Sequence, residues 1–194
     1  MKGSDFIGLG YNFLQLTINS IEEMEKQGNK SLLFFHANIS DDEMKSQYDV
    51  KSKWNDNNIA IPVLFNFYHG IELVLKGLIL KCGGEIQKKH TLINCLENLR
   101  NTSNPPSNDL INHFNLILKF DLNNFFKSNN KSVDSFYESF KYPKYKNGKS
   151  IIFKDIRGLD SEGLELFIKI KDFAVQVKIE IMEWLAIENK RNSK

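Results

Sequence analysis

The feature that most constrains the fold of this 194-residue chain is a long apolar stretch between about residues 61 and 82. Its segment FYHGIELVLK carries His69, Glu72 and Lys76 among apolar residues. Each residue of an α-helix advances about 100 degrees, so these three side chains lie within about 60 degrees of one another. Because apolar residues occupy the rest of the circumference, the pattern predicts the central helix of a helical fold.

A polar stripe on a buried helix must be paired, because an unpaired buried charge is costly. Glu72 precedes Lys76 by four residues, the favourable order for an ion pair, which leaves His69 to find another partner. Two interpretations stay open: a structural network that braces the bundle or a dimer seam, and a site in which His69 does acid–base chemistry. The HxxE spacing also resembles half of a carboxylate metal site, but no second half is evident, so we expect no metal and no cofactor.

Helical periodicity continues along most of the chain. The central helix is predicted to begin at Ile61-Pro62 and to end at Gly83-Gly84. The other predicted helices cover about residues 5–27, 41–53 after the cap Ser40, a segment after the cap Thr91, a segment after the cap Ser107, about 132–140, and about 161–188.

One segment, KYPKYKNGKSIIF, departs from the helical pattern. Asn147-Gly148 between Tyr- and Ile-containing runs predicts a hairpin, since a two-residue type I′ turn needs positive φ twice. Lysine and tyrosine interleave here, and Lys141 and Tyr142 could place ammonium groups on phosphates and rings on bases. Charged hairpins also simply protect sheet edges. The predicted fold class is therefore all-α, a helical bundle in one domain over residues 1–194, with one small β-hairpin near residues 141–154.

Composition excludes several classes of protein. Hydrophobic residues make up 41% and charged residues 26% of the chain, which is too apolar for disorder. A net charge of +2 does not by itself indicate nucleic-acid binding. Cys82 and Cys95 lie in helical runs, as buried free thiols do. We expect no membrane span and no secretion signal, and hence a cytoplasmic protein.

The remaining histidines divide into two groups. His90 follows Lys88-Lys89 at the turn after the central helix, where it can serve a ligand or the free carbonyls of a helix C-terminus. His113 lies in a helical run with no charged partner nearby in the sequence, and His36 lies in a stretch that is ambiguous between helix and strand, and we interpret both as structural.

The segments HGIELVLKGLILKCGG and KKHTLINCLENL resemble the core of the HEPN superfamily over about residues 59–188. The resemblance rests on an ExxLK-type helix, a His-centred turn and an Arg-Tyr-Pro-like element. The matching positions here are Glu72, Leu75, Lys76, His90, Leu92 and Lys141-Tyr142-Pro143. The resemblance implies an up-and-down helical bundle that commonly dimerises and binds nucleotides or RNA.

Many members of that superfamily are metal-independent ribonucleases of toxin-antitoxin, abortive-infection or CRISPR-linked defence. Their signature is an Arg, four to six residues, and a His. No Arg precedes any of the four histidines at that distance, and the near match is Lys30 before His36. Lys lacks the planar fork that grips a phosphate bidentately, which favours a binding member over a nuclease.

We therefore expect a prokaryotic HEPN-like protein that binds RNA or a nucleotide in a defence or toxin-antitoxin setting. It is expected to form a homodimer, with an antitoxin or a nucleotidyltransferase as a further partner. The expected ligand-binding residues are Glu72, Lys76, Lys89, His90, Lys141 and Tyr142. The alternatives are a diverged ribonuclease that uses His90 or His69, and a non-enzymatic structural or interaction module. Whether the chain is an enzyme stays open.

Overall fold

A computed structural model describes residues 2–30, 39–86, 91–157 and 161–192. The described residues form a helical bundle, as predicted, and contain no β-strand. The helices are α1 (Gly3–Gln27), α2 (Asp41–Ser52), α3 (Asp56–Lys81), α4 (Leu92–Arg100), α5 (Asn108–Lys119), α6 (Phe125–Ser128), α7 (Phe136–Lys141) and α8 (Ser161–Asn192), with 3₁₀ turns at Val133–Ser135 and Lys154–Ile156.

The apolar stretch is the central helix, as its pattern predicts. All residues from 70 to 79 of α3 are buried. The helix begins earlier than Pro62, because the Asn55 side chain caps it by accepting a hydrogen bond from the backbone N–H of Asn58 at 3.1 Å. Pro62 therefore lies inside the helix, at an exposed position.

Helix α1 packs directly against α3, backbone close to backbone. A Cβ atom on Gly77 would lie 2.6 Å from the Ile7 side chain and 2.7 Å from the Gly3 carbonyl. A Cβ atom on Gly10 would lie 2.9 Å from the Gly70 carbonyl. Glycine is thus required at these crossings, where any side chain would push the two helices apart.

The other helices surround α3 and complete one apolar core. α4 follows the glycine turn and packs against α3, as expected from the short connection. Thr91 precedes α4 but its side chain makes no capping hydrogen bond, contrary to the prediction. The carboxylate of Asp134 accepts from the backbone N–H of Ile93 at 2.9 Å in its place, from 41 residues further along the chain. Ser40 and Ser107 do cap α2 and α5.

The predicted β-hairpin near residues 141–154 is wrong. Only one antiparallel bridge forms, between Lys144 and Ser150, and of the two turn residues only Gly148 has a positive φ. Pro143 accepts from the N–H of Ile151 at 3.4 Å but has no N–H to return, so the ladder stops there. The next residue, Ile152, exchanges two hydrogen bonds with the side chain of Asn129 (3.0 and 2.9 Å).

The stretch Asp41–Lys81 contains a segment long and apolar enough to cross a membrane by length and composition alone. However, 78% of its most apolar window is buried inside the protein, as in the core helix of a soluble fold.

Candidate functional site

The polar stripe of α3 forms one connected network, as its spacing predicts. The Lys76 ammonium donates to Oε1 of Glu72, and Nδ1 of His69 lies 3.4 Å from Oε2 of the same carboxylate. The Glu72 side chain is 2% exposed and that of Lys76 is 9% exposed. The ion pair is therefore enclosed by the protein, and the stripe is a satisfied buried network.

His69 is held by aromatic rings from three helices. The Phe13 ring of α1 meets it edge-on, with centroids 4.7 Å apart, and Phe65 of α3 stacks on it at 5.7 Å. The hydroxyl of Tyr137 in α7 lies 2.7 Å from Nδ1. Sequence reasoning missed Tyr137, because it predicted an aromatic helix around residue 137 without any signal for which ring reaches α3.

The network fixes the protonation of its neighbours. Burial raises the pKa of Tyr137 to about 12, with the Glu72 carboxylate adding to the effect. Its hydroxyl therefore stays protonated, with its oxygen 2.7 Å from Nδ1 of His69. Burial on its own would raise the pKa of Glu72, but hydrogen bonds from His69 and Lys76 outweigh it and hold that pKa below its usual value. Glu72 is thus kept as a carboxylate.

On the outer side of α7 lies an open groove of about 610 Å³, formed by α7 and the turn that follows it. Lysine and tyrosine dominate its lining. Its residues are Tyr137, Glu138, Lys141, Tyr142, Pro143, Lys144, Tyr145 and Lys146. Tyr142 is 52% exposed, and the Lys141 ammonium lies 5.7 Å from the centre of its ring. The interleaving seen in the sequence is therefore gathered into one concave surface.

Glu138 fixes the turn onto α7. One of its carboxylate oxygens accepts from the Lys131 ammonium at 3.0 Å, and the other accepts from the backbone N–H of Lys146 at 3.4 Å. The hydrogen bond from Lys131 is the main reason that the pKa of Glu138 lies below its usual value. The one carboxylate in the groove is thus already paired, which leaves a basic surface.

The structure separates the predicted site residues into two places. Glu72 and Lys76 lie together inside the bundle, whereas Lys141 and Tyr142 line the groove. Tyr137 belongs to both, because its hydroxyl contacts His69 and its side chain lines the groove. Lys89 and His90, two further predicted ligand-binding residues, lie outside the described residues, as does His36.

His113 has a partner that the local sequence does not reveal. Its Nδ1 lies 3.0 Å from the Glu180 carboxylate, 67 residues further along in α8. This contact joins α5 to α8, which agrees with a structural role. Among the described residues, no group of three or more His, Cys, Asp or Glu side chains is placed to hold a metal ion.

Comparison with known proteins gives one match. A family model described as the HEPN domain matches residues 56–170, more than half of the chain. The matched range begins at the first residue of α3 and ends within α8, so it contains the polar stripe and the groove but not α1. Neither the curated proteins nor the solved structures give a match. On the family match, the chain belongs to the HEPN family.

Proposed function

We propose that this HEPN protein binds RNA or a nucleotide in the groove beside α7. The observation that carries the proposal is the chemistry of the lining, in which three tyrosines alternate with three lysines around one concavity of about 610 Å³. Aromatic rings stack on bases and ammonium groups neutralise phosphates, and neither contact requires a particular base. We therefore expect affinity with little sequence preference.

Tyr142 and Lys141 are the principal contacts. The exposed Tyr142 ring offers a face for stacking, and the Lys141 ammonium, which lies 5.7 Å from the centre of that ring, supplies a positive charge for a phosphate of the ligand. Lys144 and Lys146 extend the positive surface along the turn. Lys89 and His90 remain proposed members of the same site.

Glu72 and Lys76 lie inside the bundle and position a residue of the groove. Their ion pair holds His69, and His69 holds the hydroxyl of Tyr137, which fixes the inner wall of the groove. Binding is favoured over ribonuclease action, because the His69 ring is packed between aromatic side chains and the sequence lacks the Arg of the ribonuclease signature. The setting we propose is cytoplasmic defence or a toxin-antitoxin pair, with an antitoxin or nucleotidyltransferase as the partner.

The test is equilibrium binding of a fluorescent single-stranded RNA and, separately, of a fluorescent adenine nucleotide. Stacking is worth about 1–3 kcal/mol per base, so Tyr142→Ala should weaken binding roughly fivefold or more. Lys141→Ala should also weaken it and should flatten its dependence on salt. Tyr48→Ala is the matched control, since Tyr48 is an exposed tyrosine of α2 outside the groove lining.

Two results would contradict the proposal. Unchanged affinity in the double variant of Lys141 and Tyr142 would remove the groove from the binding site. The absence of any affinity for RNA or nucleotide would leave the interaction module as the better account. Incubation of RNA with the protein in EDTA tests the enzymatic alternative, which metal-free cleavage lost in His69→Ala or His90→Ala would support.

A further inference from the structure

Helix α8 carries apolar side chains on two opposite sides. Its inner side is completely buried and consists of Ile170, Ala174, Val177 and Ile181. On the outer side, Val175 is 38% exposed, Ile179 is 47% exposed and Met182 is 60% exposed, and Ala186 is exposed as well. We call these four outer residues the α8 stripe. A row of large apolar side chains facing water is typical of a surface that another protein covers.

The α8 stripe has the spacing of a helix–helix seam. Its members recur at intervals of four, three and four residues, which is the alternation of a and d positions in a coiled coil. Helix α1 borders the stripe on one side, where Met182 lines a groove together with Gly8 and Tyr11 of α1. α1 contacts α8 at Lys178, whose carbonyl accepts from the Tyr11 hydroxyl, and α5 contacts it at Glu180 through His113.

We propose that the α8 stripe is the interface between two copies of this chain, with the two α8 helices antiparallel. The stripe is complementary to itself about a two-fold axis between residues 180 and 181. That axis sets Ile179 against Met182 of the second copy and Val175 against its Ala186, which are the mixed a–d layers of an antiparallel pair. The residues of the stripe lie beyond the range 56–170 that the HEPN model matches.

Charge decides the direction of the pair. The next seam position toward the N-terminus is Asp172, which is exposed. In a parallel pair the two Asp172 carboxylates would face each other within one layer, a destabilising arrangement. In the antiparallel pair Asp172 lies beside Asn189 and the exposed Lys190 of the second copy, so opposite charges meet at each end of the seam.

The first test is the solution mass of the full chain by light scattering over a series of concentrations. We expect a dimer whose dissociation constant rises roughly tenfold or more in Ile179→Glu and in Met182→Glu. Ile187→Glu is the matched control, because Ile187 is 52% exposed on the same helix but lies outside the stripe. A monomeric wild-type protein at every concentration would overturn the proposal and leave the stripe to a different partner. A dimer unaffected by both glutamates would also overturn it.

The second test determines the direction by oxidative cross-linking of single-cysteine variants. In the antiparallel pair, residue 175 of one copy lies about 16 Å along the helix from residue 175 of the other. Val175→Cys alone and Ala186→Cys alone should therefore not cross-link, whereas a mixture of the two should. The reverse result would overturn the antiparallel seam. Burial raises the pKa of both native thiols, Cys82 and Cys95, to about 11, so they give little background.

Discussion

Helices α3 and α8 are both long and apolar, but each has residues that run against the usual rule for burial. α3 encloses a carboxylate and an ammonium ion, whereas α8 exposes a row of aliphatic side chains. The charges of α3 are satisfied by partners within the chain, whereas the side chains of the α8 stripe stay between 38% and 60% exposed at Val175, Ile179 and Met182. Folding of one copy satisfies the polar residues of α3, and we propose that association with a second copy covers the α8 stripe.

The largest expected effect comes from removing one member of the buried pair. Glu72→Ala leaves the Lys76 ammonium buried without its carboxylate, which should lower the free energy of unfolding by about 3–5 kcal/mol. Urea denaturation measures this loss. Glu97→Ala is the matched control, because the Glu97–Arg100 pair is exposed and its loss should cost no more than about 0.5 kcal/mol. Equal costs in the two variants would show that the α3 pair is not energetically buried.

The next effect is a dependence of stability on acid. The folded pKa of Glu72 is lowered below that of the unfolded chain, so its contribution to stability is present above the unfolded pKa of about 4.3. That contribution is lost as the pH falls through the folded pKa, when the buried carboxylate must take up a proton. Thermal unfolding between pH 7 and pH 3 should therefore show a steeper acid loss in the wild type than in Glu72→Gln. Parallel curves would contradict this assignment.

A smaller effect is expected where the polar stripe of α3 meets the groove beside α7. Tyr137→Phe keeps the ring but removes the hydroxyl 2.7 Å from Nδ1 of His69, which should cost about 1 kcal/mol of stability. If the inner wall of the groove depends on this contact, the affinity for RNA should fall as well. Tyr48→Phe serves as the control, since the Tyr48 ring is exposed on α2. A loss of stability with unchanged affinity would separate the two regions.

The smallest effect on the isolated fold is expected on the outer side of α8. Met182→Glu should change the stability of the single copy by no more than about 0.5 kcal/mol, because this side chain faces water there. The substitution should instead abolish the dependence of the melting temperature on protein concentration. The melting temperature of the wild type should rise with protein concentration, and that of Met182→Glu should not. A large loss of stability at low concentration would place Met182 in the core.

The sequence by itself determined what depends on spacing along one helix. The stripe of His69, Glu72 and Lys76, the pairing of the last two, the central position of α3 and the helical class all follow from local periodicity, because a helix fixes which side chains share a face. The HEPN resemblance rests on the same local segments. Expectations at Lys89 and His90 remain predictions.

Contacts between distant segments were decided only by the tertiary structure. Tyr137 reaches His69, Asp134 caps α4 in place of Thr91, and Glu180 meets His113, each across 41 residues or more. No local pattern encodes such pairs. The hairpin prediction failed for a related reason: Asn147-Gly148 signals a turn, but Pro143 and the side chain of Asn129 determine how far the pairing extends.

Helix α8 shows the limit of sequence patterns most directly. Its periodicity predicts a long amphipathic helix but contains two apolar faces, and either one satisfies the helical repeat. The periodicity already placed Val177 and Ile181 on the apolar face, and packing against α1 and α5 buries them, but the same pattern does not reveal that Ile179 and Met182 form a second apolar row outside. Periodicity reports the angle between side chains around one helix, whereas burial depends on which neighbours the rest of the chain supplies.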